Sequence, residues 1–347
     1  MFKLKKCLIV LLVVFLVFAG GCVSSRRKQE IASFNLMFYD HLQFNEEVKE
    51  VKEAEEIITE DETAEEDIDE EAEEKIEVPP EMSRAERVMR SLAEAFPVQI
   101  DRAEFRNGDW AVLLWGTWFY YADGRLLPEN KLAYIDSYTR HHFFYYPREL
   151  PPWREATPEQ VERFREWEAN RRANPPRRSP YFHDTLWQIH SREEALRQLR
   201  STRFLGFTIN IHHMVLNNLM LVEQYILAAG RADPRIQAWI NSIHRVEHWS
   251  WRNIAGTQSR SNHSYGIAID ILPRSFGGKH AYWLWTSRDG IDWWTIPHNK
   301  RWHPPDAVIK AFEKFGFIWG GKWLQFDTIH FEYRPEILIF NGMPPVR

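Results

Sequence analysis

Two short segments of this 347-residue chain contain residue types that bind metal ions in enzymes. The first contains His263 and Asp270, and the second contains His330. Two histidines, one carboxylate and an open position make up the ligand set of a catalytic zinc site. Hydrolysis of an amide at neutral pH needs a strong nucleophile, and zinc provides one by lowering the pKa of bound water to about 7. The residue types therefore predict a catalytic zinc site.

The first segment has the pattern of a half-buried strand preceded by a turn. Within Ile267–Ile271 the three isoleucines alternate with Ala268 and Asp270, so we expect the isoleucines to face the core and Asp270 to face away from it. Gly266 lets the chain turn between His263 and this strand. The small side chain of Ala268 leaves room beside Asp270.

The second segment repeats the strand pattern. Within Ile329–Tyr333 the apolar residues occupy every second position, and Thr328, His330 and Glu332 form the opposite face. Two strands therefore each offer one ligand from the less apolar face, and the preceding turn adds a third. Glu332 lies on the same face as His330, where we expect it to support the ligand or to be solvated.

These motifs resemble a known family. The pattern S-x-H-x-x-G-x-A-x-D, followed some sixty residues later by D/E-x-x-H-F, is similar to the D-alanyl-D-alanine carboxypeptidase and L-alanyl-D-glutamate endopeptidase family of zinc peptidases. The segment Phe315–Trp323 is also similar to that group, and the resemblance covers about residues 201–338. It implies an α+β fold with a small antiparallel sheet and flanking helices, shared with hedgehog signalling domains.

The resemblance also implies roles for individual residues. His263, Asp270 and His330 match the zinc ligands of the family, and Zn²⁺ is the implied cofactor. Asp327 matches the general base three residues before the last histidine. Many carboxypeptidases of the family have Glu at this position, and Asp is more usual in the endopeptidases.

Two further positions are expected to contact the substrate. Arg252 matches a strand arginine that faces the site, where it would stabilise the oxyanion. Ser261 is expected to hydrogen-bond the substrate. The implied reaction is cleavage of peptidoglycan stem peptides, of either the carboxypeptidase or the endopeptidase type. The alternative is a non-catalytic wall-binding lipoprotein on the same fold.

The N-terminus has the features of an export signal with a lipid anchor. A basic start precedes the apolar run Leu8–Phe18, which is too short to span a bilayer, and small residues then lead to Cys22. This order is similar to a bacterial lipobox, in which the cysteine is lipidated. Cys7 lies inside the signal, so Cys22 would have no disulfide partner in the mature protein. We predict a location in the bacterial cell envelope, on the periplasmic or extracytoplasmic face of a membrane.

A strongly acidic segment follows the predicted anchor. Between Glu46 and Glu77 there are 18 acidic residues and three lysines, a composition typical of a disordered tether. The block carries a net charge of −15, so against the total of −5 the rest of the chain carries about +10. This balance suits an anionic wall polymer, and export excludes nucleic acid as a partner. The oligomeric state is unknown.

The chain is thus predicted to have four parts: a lipoprotein signal (1–21), a tether (22–83), an extension of unknown role (84–200) and the zinc peptidase domain (201–347). The aromatic run at 109–127 predicts a hairpin broken at Gly116 and at Asp123-Gly124. Apolar spacing predicts a helix over Phe207–Ile226, and a strand is expected over His244–Arg252.

Other histidines and the tryptophans have alternative interpretations. The adjacent pairs His141-His142 and His212-His213 are expected to have structural or surface roles. A long insertion, Pro273–Pro305, lies between the two motifs. Its tryptophans could line a substrate groove or pack in the core; they are Trp283, Trp285, Trp293 and Trp294.

Overall fold

The computed structural model describes residues 82–346, which all belong to one compact unit. The predicted signal, Cys22 and nearly all of the tether lie outside the described residues. Within 82–346 no helix is long and apolar enough to cross a membrane. The fold is α+β with small antiparallel sheets, as the sequence predicted.

Ten strands, nine α-helices and five 3-10 helices form the described unit. The strands are β1 Ile100–Arg106, β2 Asp109–Leu114, β3 Thr117–Tyr120, β4 Leu127–Pro128, β5 Leu199–Phe204, β6 Phe207–His212, β7 Ile243–Glu247, β8 Ala268–Pro273, β9 Phe317–Trp319 and β10 His330–Tyr333. The helices are α1 Arg84–Ala95, α2 Pro158–Ala173, α3 Tyr181–Leu186, α4 Arg192–Gln198, α5 Leu216–Ala232, α6 Pro234–Ser242, α7 Trp283–Arg288, α8 Asp306–Lys314 and α9 Pro335–Phe340.

The strands form three sheets. Strands β1-β2-β3-β4 make an antiparallel meander, β5 and β6 make a hairpin, and the sheet that carries the predicted ligands has the order β7-β8-β10-β9. The predicted turn at Gly116 is confirmed. Another sharp turn, which was not predicted, occurs at Asn107-Gly108, where both residues have positive φ. An Asn-Gly pair at a two-residue turn is the usual signature of a hairpin.

The central sheet is buried because helices and aromatic side chains cover its apolar face. Phe331 on β10 stacks on Phe312 of α8, with ring centroids 3.9 Å apart. The isoleucines at 267, 269 and 271 are almost fully buried, as their alternation predicted. Helix α8 also contacts β9 and α5, so it holds the end of the sheet against the longest helix.

The helix predicted over Phe207–Ile226 is wrong in its first part. Residues Phe207–His212 are strand β6, paired with β5 through a turn at Leu205-Gly206 in which both residues have positive φ. Ile209 and Ile211 are buried at every second position, which is the period of a strand, and the helix begins only at Leu216.

The strand predicted over His244–Arg252 is shorter in the structure and ends at Glu247. Beyond it the chain leaves the sheet, and the Ser264 hydroxyl holds the loop: it accepts a hydrogen bond from the Arg252 backbone N–H at 2.9 Å and donates to the Arg252 carbonyl at 2.7 Å. Arg252 therefore lies in a loop and not on a strand.

The predicted extension (84–200) and the predicted peptidase domain (201–347) contact each other at several places. The predicted boundary at 200/201 lies inside β5, whose Leu199 pairs with His212 of β6. Helix α1 packs against α9 near the C-terminus. The Tyr146 hydroxyl donates to Glu313 at 2.6 Å and accepts from the Trp319 backbone N–H at 2.8 Å.

Candidate metal centre

The pairing of β8 with β10 brings the predicted ligands together. His330 lies directly opposite Asp270 in the antiparallel ladder. His263 comes from a 3-10 turn, Asn262–Tyr265, that ends at Gly266 with φ +68. This left-handed residue allows the chain to reverse into β8 without displacing His263.

One atom of each ligand points to a common position. The His263 Nε2 atom lies 3.2 Å from Asp270 Oδ1 and 3.3 Å from His330 Nδ1, and the latter two atoms are 2.7 Å apart. Ligands around a tetrahedral zinc ion are about 3.3 Å apart, given Zn–N and Zn–O distances of about 2.0–2.2 Å. All three side chains are buried, and their donor set suits zinc.

Hydrogen bonds orient both histidines toward the shared position. His263 Nδ1–H donates to the backbone carbonyl of His248 at 2.8 Å, which leaves Nε2 with its lone pair for a metal. His330 Nε2–H donates to Glu332 at 3.0 Å, which leaves Nδ1 for the metal. These are the hydrogen bonds of the neutral tautomers that would present Nε2 of His263 and Nδ1 of His330 to a metal ion.

Glu332 is buried and supports His330, so the alternative of a solvated side chain is wrong. It accepts hydrogen bonds from Asn262 Nδ2 at 2.7 Å and from Arg334 Nη1 at 3.3 Å, besides the one from His330. Burial raises the pKa of Glu332, but the hydrogen bond from His330 and the charge of Arg334 oppose burial, and the pKa lies below its ordinary value. Glu332 is therefore an anion that fixes the ring of a ligand.

Asp327 has a carboxylate oxygen that is buried without a partner. Its Oδ1 atom makes no hydrogen bond within residues 82–346. Burial, and next the negative charge of Asp270, raise the pKa of Asp327 to about 8. A divalent cation held by the three ligands would lower this pKa, because its charge favours the carboxylate. An unpaired buried oxygen beside the ligand cluster fits a water molecule or a cation as its missing partner.

Arg252 is exposed and lies close enough to affect Asp327. Its positive charge lowers the pKa of Asp327 and that of Tyr282, which pairs with Asp327 through an isolated β-bridge. The guanidinium is therefore near enough to Asp327 for its charge to act there, although Arg252 lies in a loop and not on the predicted strand.

Ser261 is buried, and its hydroxyl caps the ligand-bearing turn. The Oγ atom accepts a hydrogen bond from the backbone N–H of His263 at 3.4 Å. This contact helps to position His263. The substrate contact of Ser261 stays a prediction.

The tryptophans of the insertion divide between the two interpretations. Trp283, Trp293 and Trp294 are buried and pack in the core, with Phe164 of α2 against the last two. Trp285 is 40% exposed and contacts Tyr282 edge to face at 5.5 Å. Only Trp285 of the four is therefore available to a substrate.

Sequence reasoning did not find the carbonyl of His248, which orients His263. A backbone group leaves no signal in residue types, so this contact required the structure. Tyr282 was also missed. Its only local signal is its place beside Trp283 in an aromatic run.

Comparison with known families matches two parts of the chain. Residues 88–143 match a family described as a domain of unknown function, which includes most of α1 and all of β1–β4. No solved structure matches the chain. Residues 255–333 match a family described as D-alanyl-D-alanine carboxypeptidase, and this range contains the three candidate ligands and Asp327 but not Arg252. The resemblance predicted from the paired motifs is thereby confirmed: the segment that carries the candidate metal ligands matches the D-alanyl-D-alanine carboxypeptidase family of peptidases.

Proposed function

We propose that this protein is a zinc metallopeptidase that hydrolyses amide bonds in peptidoglycan stem peptides. The observation that carries this proposal is the convergence of His263 Nε2, Asp270 Oδ1 and His330 Nδ1 beside the unpaired oxygen of Asp327. These residues lie within the range that matches the peptidase family.

The chain's own residues divide the chemistry between them. His263, Asp270 and His330 would hold zinc, which supplies Lewis-acid activation of water and of the scissile carbonyl. Asp327 would take the proton of the attacking water and return it to the nitrogen of the leaving amine. Arg252 would offer positive charge to the oxygen on which negative charge develops.

The residue at position 327 bears on which bond is cleaved. The resemblance associates Asp at this position with the L-alanyl-D-glutamate endopeptidases and Glu with many D-alanyl-D-alanine carboxypeptidases. Asp327 therefore favours cleavage beside L-Ala over removal of the terminal D-Ala. Both bonds belong to the same stem peptide, so one substrate tests both.

We further propose that a lipid on Cys22 holds the enzyme at a bacterial membrane, facing the cell wall. The tether of residues 23–83 would reach at least roughly 40 Å as a random coil. The high negative charge of the tether would extend it further, because like charges repel. The peptidase would then reach wall peptides at a distance from the membrane.

Mass spectrometry of muropeptides incubated with the purified full-length chain in detergent tests this function. We expect loss of a mass equal to cleavage beside L-Ala or to removal of D-Ala, abolished by a zinc chelator and restored by added zinc. If the protein binds both zinc and peptidoglycan but cleaves no peptide, the non-catalytic wall-binding alternative is correct. Cleavage that persists after complete metal removal would exclude the zinc mechanism.

A further inference from the structure

A cavity outside the metal centre lies where the extension meets the ligand-bearing turn. Its empty volume is about 370 Å³, including solvent at its mouth. Histidines and arginines dominate the wall: His141, Arg178, His183, Arg260 and Arg334. Ser179 and Asn262 also line it. Residues from two distant parts of the chain therefore build one cavity lined by basic side chains.

Arg178 is the arginine of this wall that has no direct ion pair within residues 82–346. Arg260 pairs with Asp184 at 2.5 Å, and Arg334 pairs with Glu332 and with Glu336. The guanidinium of Arg178 forms no hydrogen bond or ion pair with residues 82–346 that would neutralise it; only its backbone N–H is bonded, to Ser259 Oγ at 2.9 Å.

Burial, and next the charge of Arg334, lower the pKa of Arg178 to about 10, although the negative charge of Glu332 opposes them; Arg178 is still a cation at neutral pH. Glu332 acts from a distance and already pairs with Arg334. A partly buried cation without a direct ion pair is costly, and such groups are normally paired. An anionic ligand would supply the missing charge.

Two buried polar atoms of the wall are also without partners in the described part of the chain. They are Ser179 Oγ, whose residue is 1% exposed, and His141 Nε2, whose residue is 8% exposed. Burial, and next the charge of Arg178, lower the pKa of His141 to about 3, so its ring is neutral, and the hydrogen bond of its other ring nitrogen to the Ser179 backbone opposes this only in part. Nε2 of the neutral ring is therefore an acceptor, and Ser179 Oγ–H is a donor.

We propose that this cavity binds a small phosphate group that carries one protonated oxygen. Its anionic oxygens would accept hydrogen bonds from the Arg178 guanidinium and from Ser179 Oγ–H, and its P–OH would donate to His141 Nε2. Hydrogen phosphate and a phosphomonoester can have both kinds of oxygen near neutral pH, because their second pKa lies near 6 to 7. A phosphodiester and sulfate have no proton to donate there.

Binding in the cavity must be separated from binding to zinc. Asn262 and Arg334 line the cavity and also donate to Glu332, which in turn holds the candidate ligand His330. Phosphate could also bind a zinc ion directly. The titrations are therefore made on the full-length chain in detergent, first with zinc removed by a chelator and then with zinc restored.

Calorimetric titration with inorganic phosphate tests the proposal. We expect one saturable site in the metal-free protein, weakened roughly 10- to 100-fold by Arg178→Met, because a hydrogen-bonded charge is lost. Arg177→Met is the matched control: its side chain is exposed and stacks over Tyr138, and phosphate affinity should stay at the wild-type value. Ser179→Ala should weaken binding by a smaller factor.

The variants also separate binding from folding. Arg178→Met removes an unpaired cation, so without phosphate it should melt no lower than the wild type, whereas its rise in Tm with added phosphate should disappear. Absence of saturable phosphate binding by the metal-free wild type, or equal affinity of wild type and Arg178→Met, overturns the proposal.

Two other probes identify the ligand more closely. Sulfate should bind more weakly than phosphate, since it cannot donate to His141 Nε2, and equal affinity would overturn the role given to His141. Glycerol phosphate shows whether the natural ligand is free phosphate or a phosphomonoester. An affinity equal to that of inorganic phosphate indicates a phosphomonoester, and a much weaker affinity indicates free phosphate. None of these titrations depends on peptidase activity, so they stand apart from the proposed function.

Discussion

At the scale of single residues, Asp327 separates catalysis from metal binding. It contributes none of the three converging ligand atoms, so Asp327→Asn should keep zinc while removing the carboxylate that accepts a proton. Loss of a general base typically lowers the rate roughly 10²- to 10⁴-fold. Initial rates of muropeptide cleavage and zinc content measure the two effects. Asp289→Asn, an exposed change of the same type, is the control, and a wild-type rate for Asp327→Asn would remove Asp327 from the mechanism.

Glu332 makes the second residue-scale prediction, because it holds the ring of His330. Glu332→Gln keeps the size and an accepting oxygen but removes the negative charge that strengthens the hydrogen bond. Loss of such a supporting carboxylate typically weakens metal binding roughly 10- to 100-fold. Competition with a chromophoric chelator measures the zinc affinity. The exposed Glu247→Gln should leave it unchanged, and an equal affinity for Glu332→Gln would show that the His330–Glu332 contact is dispensable.

At the scale of elements, the turn at Gly266 sets the position of His263 relative to Asp270 on β8. A Cβ atom at Gly266 would lie 2.5 Å from Leu199 Cδ2 and 3.0 Å from the His212 backbone nitrogen, besides requiring φ +68. Gly290 has φ +76, but a Cβ atom there would have no other atom within 4 Å. Gly290→Ala therefore measures the cost of placing a side chain at positive φ without any steric clash. Gly266→Ala should lower the free energy of unfolding by about 1–3 kcal/mol more than Gly290→Ala, through overpacking.

Denaturant titration of the two glycine variants measures this difference, with zinc content as a second readout. Gly266→Ala should also bind zinc more weakly, since the hairpin β5-β6 would push the turn away from the sheet. Equal stability of the two variants would mean that Leu199 and the hairpin move aside without cost.

At the scale of the whole molecule, the peptidase segment depends on the extension. Arg334 Nη2–H donates to the His142 carbonyl, and the Asn341 amide group donates to the Phe144 carbonyl and accepts from the Tyr146 N–H. A chain of residues 201–347 would lose these hydrogen bonds, and it would lack Leu199 and Arg200, which pair with His212 and Ile211 of β6. We expect it to lack a cooperative thermal transition, whereas residues 84–347 keep one. Cooperative melting of 201–347 at the same Tm would show an independent domain.

The membrane location is the second prediction at this scale. Cys22→Ala should move the protein from the membrane fraction to the soluble envelope fraction, because each buried CH₂ of a lipid contributes about 0.8 kcal/mol to binding. Cys7→Ala is the matched control, since Cys7 lies inside the predicted signal and should not affect the anchor. Immunoblots of fractionated cells measure the distribution. An exported Cys22→Ala protein that stays on the membrane would require a different anchor.

The sequence by itself determined the features that depend on short-range order. The period of two along Ile267–Ile271 and Ile329–Tyr333 predicted two strands and the face of each ligand, because successive side chains of a strand point to opposite sides. The same rule explains the error at Phe207–His212, where a run of six residues with apolar alternation was joined to the helix that follows. A short apolar run can belong to either element when its partner is unknown.

Only the tertiary structure decided which contacts form between residues that are distant along the chain. The register that places His330 opposite Asp270, the carbonyl that orients His263 and the lack of a direct ion pair at Arg178 within residues 82–346 each depend on pairs of segments brought together by folding. Residue types show which groups can bind, but hydrogen bonds and burial depend on distances of a few ångströms that no local pattern encodes. For this reason the ligand residues were predictable, whereas their tautomers and the cavity lined by basic side chains were not.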